Sequence, residues 1–75
     1  MVKAFVLLTA SLGAERSVFE SLKTMPNIKE ADMLYGVYDI IVDVEAESLS
    51  ELKDVINYKI RRMDDVDSSV TMIVN

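Results

Sequence analysis

The residues best suited to recognising a ligand lie near the middle of the chain, where Gly36, Tyr38 and Asp39 stand close together. Glycine adopts positive φ without a Cβ clash, so a chain reversal fits at Gly36. These residues can hold a zwitterion. Its carboxylate would bind exposed amides near Gly36, and its ammonium would bind the Asp39 carboxylate. The hydroxyls of Ser69 and Thr71 are further groups that can contact it. The same stretch also fits an ordinary hairpin in which Asp39 bonds turn amides. The residues alone leave both interpretations open.

Other kinds of chemistry have little support. The chain has no histidine and no cysteine, which removes imidazole bases, thiolate nucleophiles and zinc sites that use these ligands. No G-x-S-x-G turn and no phosphate-binding glycine loop occurs. A lysine-activated serine stays open, although nothing points to one. We therefore predict no catalytic residue, no metal and no cofactor.

Two groups of carboxylates have the residue types of a cation or acid–base site. Three aspartates near the end of the chain would suit a hard cation, but their spacing lacks the calcium-loop pattern and favours a solvated turn. Three alternating carboxylates in the middle favour a wet sheet margin over a paired acid–base site. These groups are Asp64, Asp65 and Asp67, and Asp43, Glu45 and Glu47.

Charge and composition restrict the partners. The net charge is −5, which disfavours nucleic acid and anionic lipid. The longest apolar run, residues 4–8, is too short to span a bilayer. The absence of cysteine is compatible with a reducing cytoplasm, where we expect the protein. Apolar residues make up 51% of a 75-residue chain, more than one small core hides, which indicates self-association.

Hydrophobic periodicity predicts four strands and two helices. The first strand is apolar on both faces and belongs in the middle of a covered sheet, while the polar second strand suits an edge. Pro26 ends the first helix, and Ser48 with Glu51 has the spacing of a capping box at the start of the second. The predicted strands are 2–9, 28–35, 39–45 and 68–74, and the predicted helices are 14–25 and 49–63.

The order βαββαβ predicts a single ferredoxin-like α+β domain over residues 1–75, with four antiparallel strands and both helices on one face. The other face has no helix of its own. We expect it to carry Phe5, Leu7 and Ile41, with Ile73 as a further candidate. A homodimer, packed as an α/β sandwich through these open faces, would cover it.

The chain resembles the effector-binding domain of the Lrp/AsnC family of feast/famine regulators, known as the RAM domain. The most specific match is residues 36–39, which fit the family's G-x-Y-D signature. Supporting matches are the helix that ends before Pro26, the second helix over residues 49–60, and the last strand over residues 66–74. The resemblance covers essentially the whole chain.

The resemblance implies a non-enzymatic module that senses an amino acid and oligomerises. It implies dimers that assemble into octamers or decamers, with effectors bound between dimers. Gly36, Tyr38 and Asp39 would line that site, and Ser69 and Thr71 would contribute hydroxyls. Because the chain begins at the first strand, without a helix-turn-helix domain, it is similar to stand-alone RAM modules, for which co-assembly with full-length regulators is a second expectation.

Two other functions remain open at this stage. One is a structural hub that hetero-oligomerises with full-length Lrp/AsnC-type regulators and binds no ligand. The other is a small dimeric α/β-barrel enzyme, which the absence of histidine weakens.

Overall fold

A computed structural model describes residues 1–74, in which four strands and two helices follow the predicted order. The second helix changes to a π-helix halfway along its length. The elements are β1 (Val2–Ala10), α1 (Glu15–Lys23), β2 (Ile28–Met33), β3 (Ile40–Ala46), α2 (Leu49–Asp54) with its π-helical continuation (Val55–Ile60), and β4 (Val66–Val74).

The strands form one antiparallel sheet in the order β2-β3-β1-β4. Both predictions about strand position are confirmed, because β1 is central and the polar strand β2 is an edge. The arrangement is the ferredoxin-like βαββαβ fold, with both helices on one face. One surface of β1 therefore meets the helices, and the other meets no element of the described chain.

The helix-covered face contains the core. Three residues of β1 lie opposite three of β3 in register, and all six are fully buried, since their exposed fraction is 0%. The helices pack Val18, Leu22, Leu52 and Ile60 onto them. Burying each such side chain stabilises the fold by about 1.5–3 kcal/mol. The six paired residues are Ala4, Val6, Leu8, Ile40, Val42 and Val44.

The first helix is shorter at both ends than predicted. It begins at Glu15, preceded by Ala14, which has no side chain able to cap the free amides. It ends at Lys23, and the hydroxyl of the following Thr24 donates to the Ser21 carbonyl at 2.7 Å. Pro26 follows the end of the helix, as predicted.

The second helix begins at the predicted cap. The Ser48 hydroxyl accepts from the Glu51 amide at 3.1 Å, and the Glu51 carboxylate accepts from the amide of Glu47 at 3.1 Å, one residue before the usual partner. From Val55 the helix widens, and the Arg61 amide donates to the Ile56 carbonyl five residues back. The apolar spacing predicted the helix and gave no sign of the π-helical half.

Strand boundaries differ from the prediction mainly around β4. This strand begins at Val66, because Val66 pairs with Ala10 and the Ser11 amide donates to the Asp65 carbonyl at 2.8 Å. The polar composition of this stretch predicted a loop, but pairing with the end of β1 makes its second part a strand. At the other sheet edge, β2 ends at Met33.

The open face of the sheet differs from the prediction at one residue. Phe5 lies opposite Met72, and Leu7 opposite Val70, so these side chains share the open face. Ile73 lies opposite the buried Ala4 and therefore points to the helix-covered side. Placing Ile73 on the open face was wrong, because the register of β4 against β1 decides the face of every side chain.

The open face has an apolar half and, apart from Ile41, which lies there as predicted, an acidic half. Phe5, Leu7 and the exposed Met72 lie on β1 and β4. On β2 and β3, Glu30 lies opposite Asp43, and Glu45 follows on the same face. The prediction of a wet sheet margin was wrong for this row, because β3 is an interior strand and the Asp43 side chain is only 14% exposed.

A charged pair lies between these halves. Lys3 Nζ is 3.4 Å from Asp43 Oδ2 and 5.0 Å from the centre of the Phe5 ring. The Asp43 side chain is only 14% exposed, and its Oδ1 atom is buried without a hydrogen-bond partner in the part of the chain that the structure describes. A shielded carboxylate oxygen on an uncovered face is costly unless a further donor reaches it.

Candidate functional site

The connection between β2 and β3 is a wide loop rather than a tight turn. The Leu34 amide donates to the Asp39 carbonyl at 2.8 Å and closes the base of the loop. Gly36 has φ of +139°, which L side chains rarely adopt, so the predicted need for glycine is met here. The loop lies at the end of the sheet where β1 ends and β4 begins.

Asp39 fastens this loop to β1. Its amide donates to the Leu8 carbonyl at 2.8 Å, and its Oδ2 accepts from the Ala10 amide at 2.8 Å. The pairing of β1 with β4 shifts register between Thr9 and Ala10, and the Asp39 carboxylate satisfies the amide at that irregularity. One oxygen of the predicted ligand carboxylate therefore has a structural role, which leaves Oδ1 for other partners.

The two tyrosines of the loop have different environments. Tyr38 is half-buried, whereas Tyr35 is fully exposed. Tyr38 immediately precedes Asp39, so its ring and hydroxyl lie at the same end of the sheet as Oδ1 of Asp39. Gly36, Tyr38 and Asp39 are thus brought together, as their closeness in sequence requires.

Ser69 and Thr71 lie apart from this group. Ser69 is opposite Leu8, and Thr71 is opposite Val6 further along β1, both on the helix-covered side of β4. Strand β1 lies between β3 and β4, and two strand spacings separate the backbones of β3 and β4 by about 10 Å. One chain alone does not join these hydroxyls and the Asp39 carboxylate in a single pocket.

Other hydroxyls, which the sequence analysis missed, lie closer to the loop. Thr9 Oγ1 and Ser68 Oγ are 2.7 Å apart across the β1–β4 pair. The Ser11 hydroxyl donates to Asp67 Oδ1 at 3.1 Å. All four residues are at the sheet end that carries Asp39. Only the pairing of Thr9 with Ser68 reveals them, and no local pattern in the sequence indicates that pairing.

Comparison with known proteins decides the family. The model of the Lrp/AsnC ligand-binding domain matches residues 3–75. The chain belongs to the Lrp/AsnC ligand-binding domain family. No curated protein sequence matches it significantly.

Solved structures place this Lrp/AsnC domain among regulators. FFRP-DM1 is 45% identical with a TM-score of 0.98, and the match covers 100% of both chains. AsnC of E. coli is 28% identical with a TM-score of 0.88, and the match covers 97% of this chain and 50% of AsnC. The Neisseria meningitidis transcriptional regulator NMB0573, solved as a complex with L-Met, has a TM-score of 0.86 over 99% of this chain and 49% of its own, but at 13% identity it shows the fold alone.

Membership identifies this Lrp/AsnC domain as a regulatory ligand-binding module. Its family is a family of ligand-binding domains and not a known enzyme family. Among residues 1–74, no group of three acidic side chains is placed to hold a metal ion. This includes Asp64, Asp65 and Asp67 near the start of β4. Within residues 1–74, no helix is long and apolar enough to cross a membrane.

A cleft of about 270 Å³ lies away from the loop, between the end of α1 and the outer side of β2. Ile28 and Ala31 form its apolar part, and Lys23, Lys29 and Glu30 add charged groups. It shares no residue with the site predicted from the sequence. The cleft residues on β2 make up the first four of its six residues, and the loop follows the end of that strand.

Proposed function

We propose that this Lrp/AsnC domain senses a small amino acid at the sheet end formed by Gly36, Tyr38 and Asp39, and that binding favours one oligomeric assembly over another. The observation that carries the proposal is the anchoring of Asp39. Two hydrogen bonds to β1, one donated by the Asp39 amide and one accepted by Oδ2 of its carboxylate, hold this residue in place and leave Oδ1 available. A carboxylate held in this way binds an ammonium group without a large loss of side-chain entropy.

The chemistry of the loop fits a zwitterion. Asp39 Oδ1 is an acceptor for the ammonium, and backbone amides beside Gly36 are donors for the carboxylate. The half-buried Tyr38 offers a ring edge and a hydroxyl to the rest of the ligand. Amino-acid binding by NMB0573 supports the class of ligand at the level of fold.

Ser69 and Thr71 enter the proposal as residues of a neighbouring copy. They lie across β1 from Asp39 in their own chain. In a site between two copies, this separation across β1 does not matter, because one copy contributes the loop and another contributes its exposed edge strand β4. Such a site forms only in an assembly, which couples ligand binding to oligomerisation.

We propose that the first step of assembly is a dimer through the open sheet face. Exposed Val70, Met72 and Val74 on β4 continue the apolar surface of Phe5 and Leu7 on β1. A face of this kind on a small domain favours burial against a second copy. Octamers or decamers of such dimers in the cytoplasm are what the family resemblance implies for this chain.

The ligand shifts the assembly only if its affinity differs between the assembled and the dissociated states. Linkage then makes the effect reciprocal, so assembly strengthens ligand binding by the same factor. A site completed by a neighbouring copy provides that difference in affinity.

Calorimetric titration with the twenty amino acids, combined with light-scattering mass, tests this proposal. We expect saturable binding of one or a few L-amino acids, no binding of their D-enantiomers, and a change of mass on binding. Asp39→Asn should weaken binding, because the neutral amide loses the charge that attracts ammonium but keeps an oxygen for the Ala10 amide. Asp64→Asn, the same change in an exposed loop at the same sheet end, serves as the control.

A mass unchanged by every amino acid, with no heat of binding, contradicts the sensor. The domain would then be a structural hub, and co-purification with a full-length regulator is the observation that would favour it. AsnC supports that comparison, since a domain like this one makes up half of that regulator.

A further inference from the structure

The positive charges of the chain are concentrated on the second helix. Residues 53–62 carry four of the eight cationic side chains against one of the thirteen acidic ones, a net charge of +3. The other residues carry four cations against twelve acids, a net charge of −8. The four cations and an exposed tyrosine form a surface that we call the basic face: Lys53, Tyr58, Lys59, Arg61 and Arg62.

No carboxylate of the described chain neutralises these cations. All four are exposed, and none forms a salt bridge within residues 1–74. Asp64 and Asp65 follow in the next loop, but no salt bridge links them to Arg61 or Arg62. The cations therefore keep their attraction for an anion from outside the chain.

The two arginines are positioned by their neighbours on the helix. The Arg62 guanidinium lies 5.1 Å from the centre of the Tyr58 ring, and this ring is 60% exposed. Arg61 Nη1 donates to Asn57 Oδ1 at 3.3 Å. These contacts restrict both guanidinium groups and leave most of their N–H donors unused. A partner that binds them loses less side-chain entropy than it would with two unrestrained arginines.

The basic face lies on the π-helical segment and on the residues that follow it. This segment buries Val55, Ile56 and Ile60 against the sheet, and Tyr58 and Arg62 remain on the outside. Helical turns of this wide type occur frequently at functional sites. Because the helices cover one side of the sheet, the basic face is separate from the open face on the other side.

We propose that the basic face binds a short, extended acidic segment of a partner protein. Arginine binds a carboxylate through two parallel hydrogen bonds, and tyrosine and arginine are the residues that most often dominate the energy of protein interfaces. Residues 53–62 span about 15 Å of helix at 1.5 Å per residue. About five residues of an extended chain cover the same length at 3.3 Å per residue. A segment with carboxylates at alternate positions directs all of them to the basic face.

A nucleic acid matches the molecule less well. Its phosphates continue at a spacing of about 1.7 Å along a duplex, far beyond the length of the basic face. They would then meet a surface whose residues carry a net charge of −8, which repels them. A short acidic segment ends where the basic face ends, so charge and length together favour a protein partner.

Fluorescence anisotropy of a labelled hexaglutamate peptide, titrated with the full chain, tests the proposal. We expect saturable binding at low salt that weakens as the salt concentration rises. The double variant Arg61→Gln with Arg62→Gln should weaken binding about tenfold. The matched control is Arg16→Gln with Lys29→Gln, which removes the same charge from two other exposed positions and should leave the affinity unchanged.

A second set of variants separates recognition from charge alone. Arg62→Lys keeps the charge but loses the paired donors and the flat group that stacks on the ring, so it should weaken binding. Tyr58→Ser should weaken binding as well, because Arg62 then loses the ring that positions it. Tyr58→Phe keeps the ring and should bind the peptide as the unmodified chain does.

Four results would overturn the proposal. Equal losses for the double variant and its control indicate diffuse attraction without a site. Unchanged affinity of Arg62→Lys indicates that charge alone decides binding. Tighter binding of a short single-stranded DNA than of hexaglutamate assigns the basic face to nucleic acid. No binding of the peptide at low salt shows that the basic face is not a docking surface for acidic segments.

Discussion

Leu7 and Leu8 are adjacent leucines on β1 with different functions. Leu8 is fully buried beneath the helices, in register with Ile40. Leu7 points to the open face, where Val70 is its neighbour and no helix covers it. One face of the strand holds this chain together, and the other remains for a second chain. The alternation of side chains along a strand produces both surfaces from one apolar sequence.

Leu8→Ala should have the largest effect on the fold. Truncating a fully buried leucine costs about 2–5 kcal/mol of unfolding free energy, a large part of the stability of a domain this small. Urea denaturation of Leu8→Ala and Leu7→Ala measures the difference. The Leu7→Ala loss should be smaller in dilute solution and should grow with protein concentration, as a dimer buries this residue. Equal losses at every concentration would contradict the assignment of faces.

Met72→Glu should prevent dimer formation without unfolding the chain. Met72 is 45% exposed on the open face, and a charge there opposes burial against an apolar partner. Ile73→Glu is the matched control, because Ile73 is 43% exposed on the opposite side of the same strand. Light scattering should show a lower mass for Met72→Glu alone. A lower mass for Ile73→Glu alone would show that the interface lies on the other face.

Asp39→Ala should destabilise the loop. The variant removes the carboxylate that accepts from the Ala10 amide, and losing a hydrogen bond to a charged group costs about 1–3 kcal/mol. Asp39→Asn should lose less, since its carbonyl oxygen can accept from the same amide. Thermal unfolding of both variants measures this order. Identical losses would show that the carboxylate does not hold the loop.

Lys3→Met should have the smallest effect on the isolated chain. The Lys3 side chain is 41% exposed, so its pair with Asp43 is screened by solvent and contributes less than about 1 kcal/mol. If the dimer covers Asp43, the variant should weaken association far more than folding. The measurement is light-scattering mass at low and high salt. A dimer that is insensitive to both the variant and the salt would place this pair outside the interface.

Much of the fold follows from local patterns. The two-sided apolar sequence of β1 predicted a central strand, and the charges of β2 predicted an edge. Ser48 and Pro26 marked a helix start and a helix end because capping and proline sterics act within a few residues. The G-x-Y-D residues indicated the family and the backbone conformation of Gly36.

The candidate site was less predictable. Gly36, Tyr38 and Asp39 are neighbours in sequence and had to lie together. The sequence did not indicate that Asp39 binds Ala10, that β1 separates Asp39 from Ser69, or that Thr9 and Ser68 contact each other. Each of these facts depends on strands that are distant along the chain.

The sequence by itself therefore determined the order of elements, the central strand, the family and the need for glycine at residue 36, because these depend on short-range sterics and periodicity. Only the tertiary structure decided the face of Ile73, the partner of Asp39 and the π-helical segment. The physical reason is register. A shift of one residue in strand pairing moves every side chain to the other face, and the pairing is set by the packing of the whole sheet.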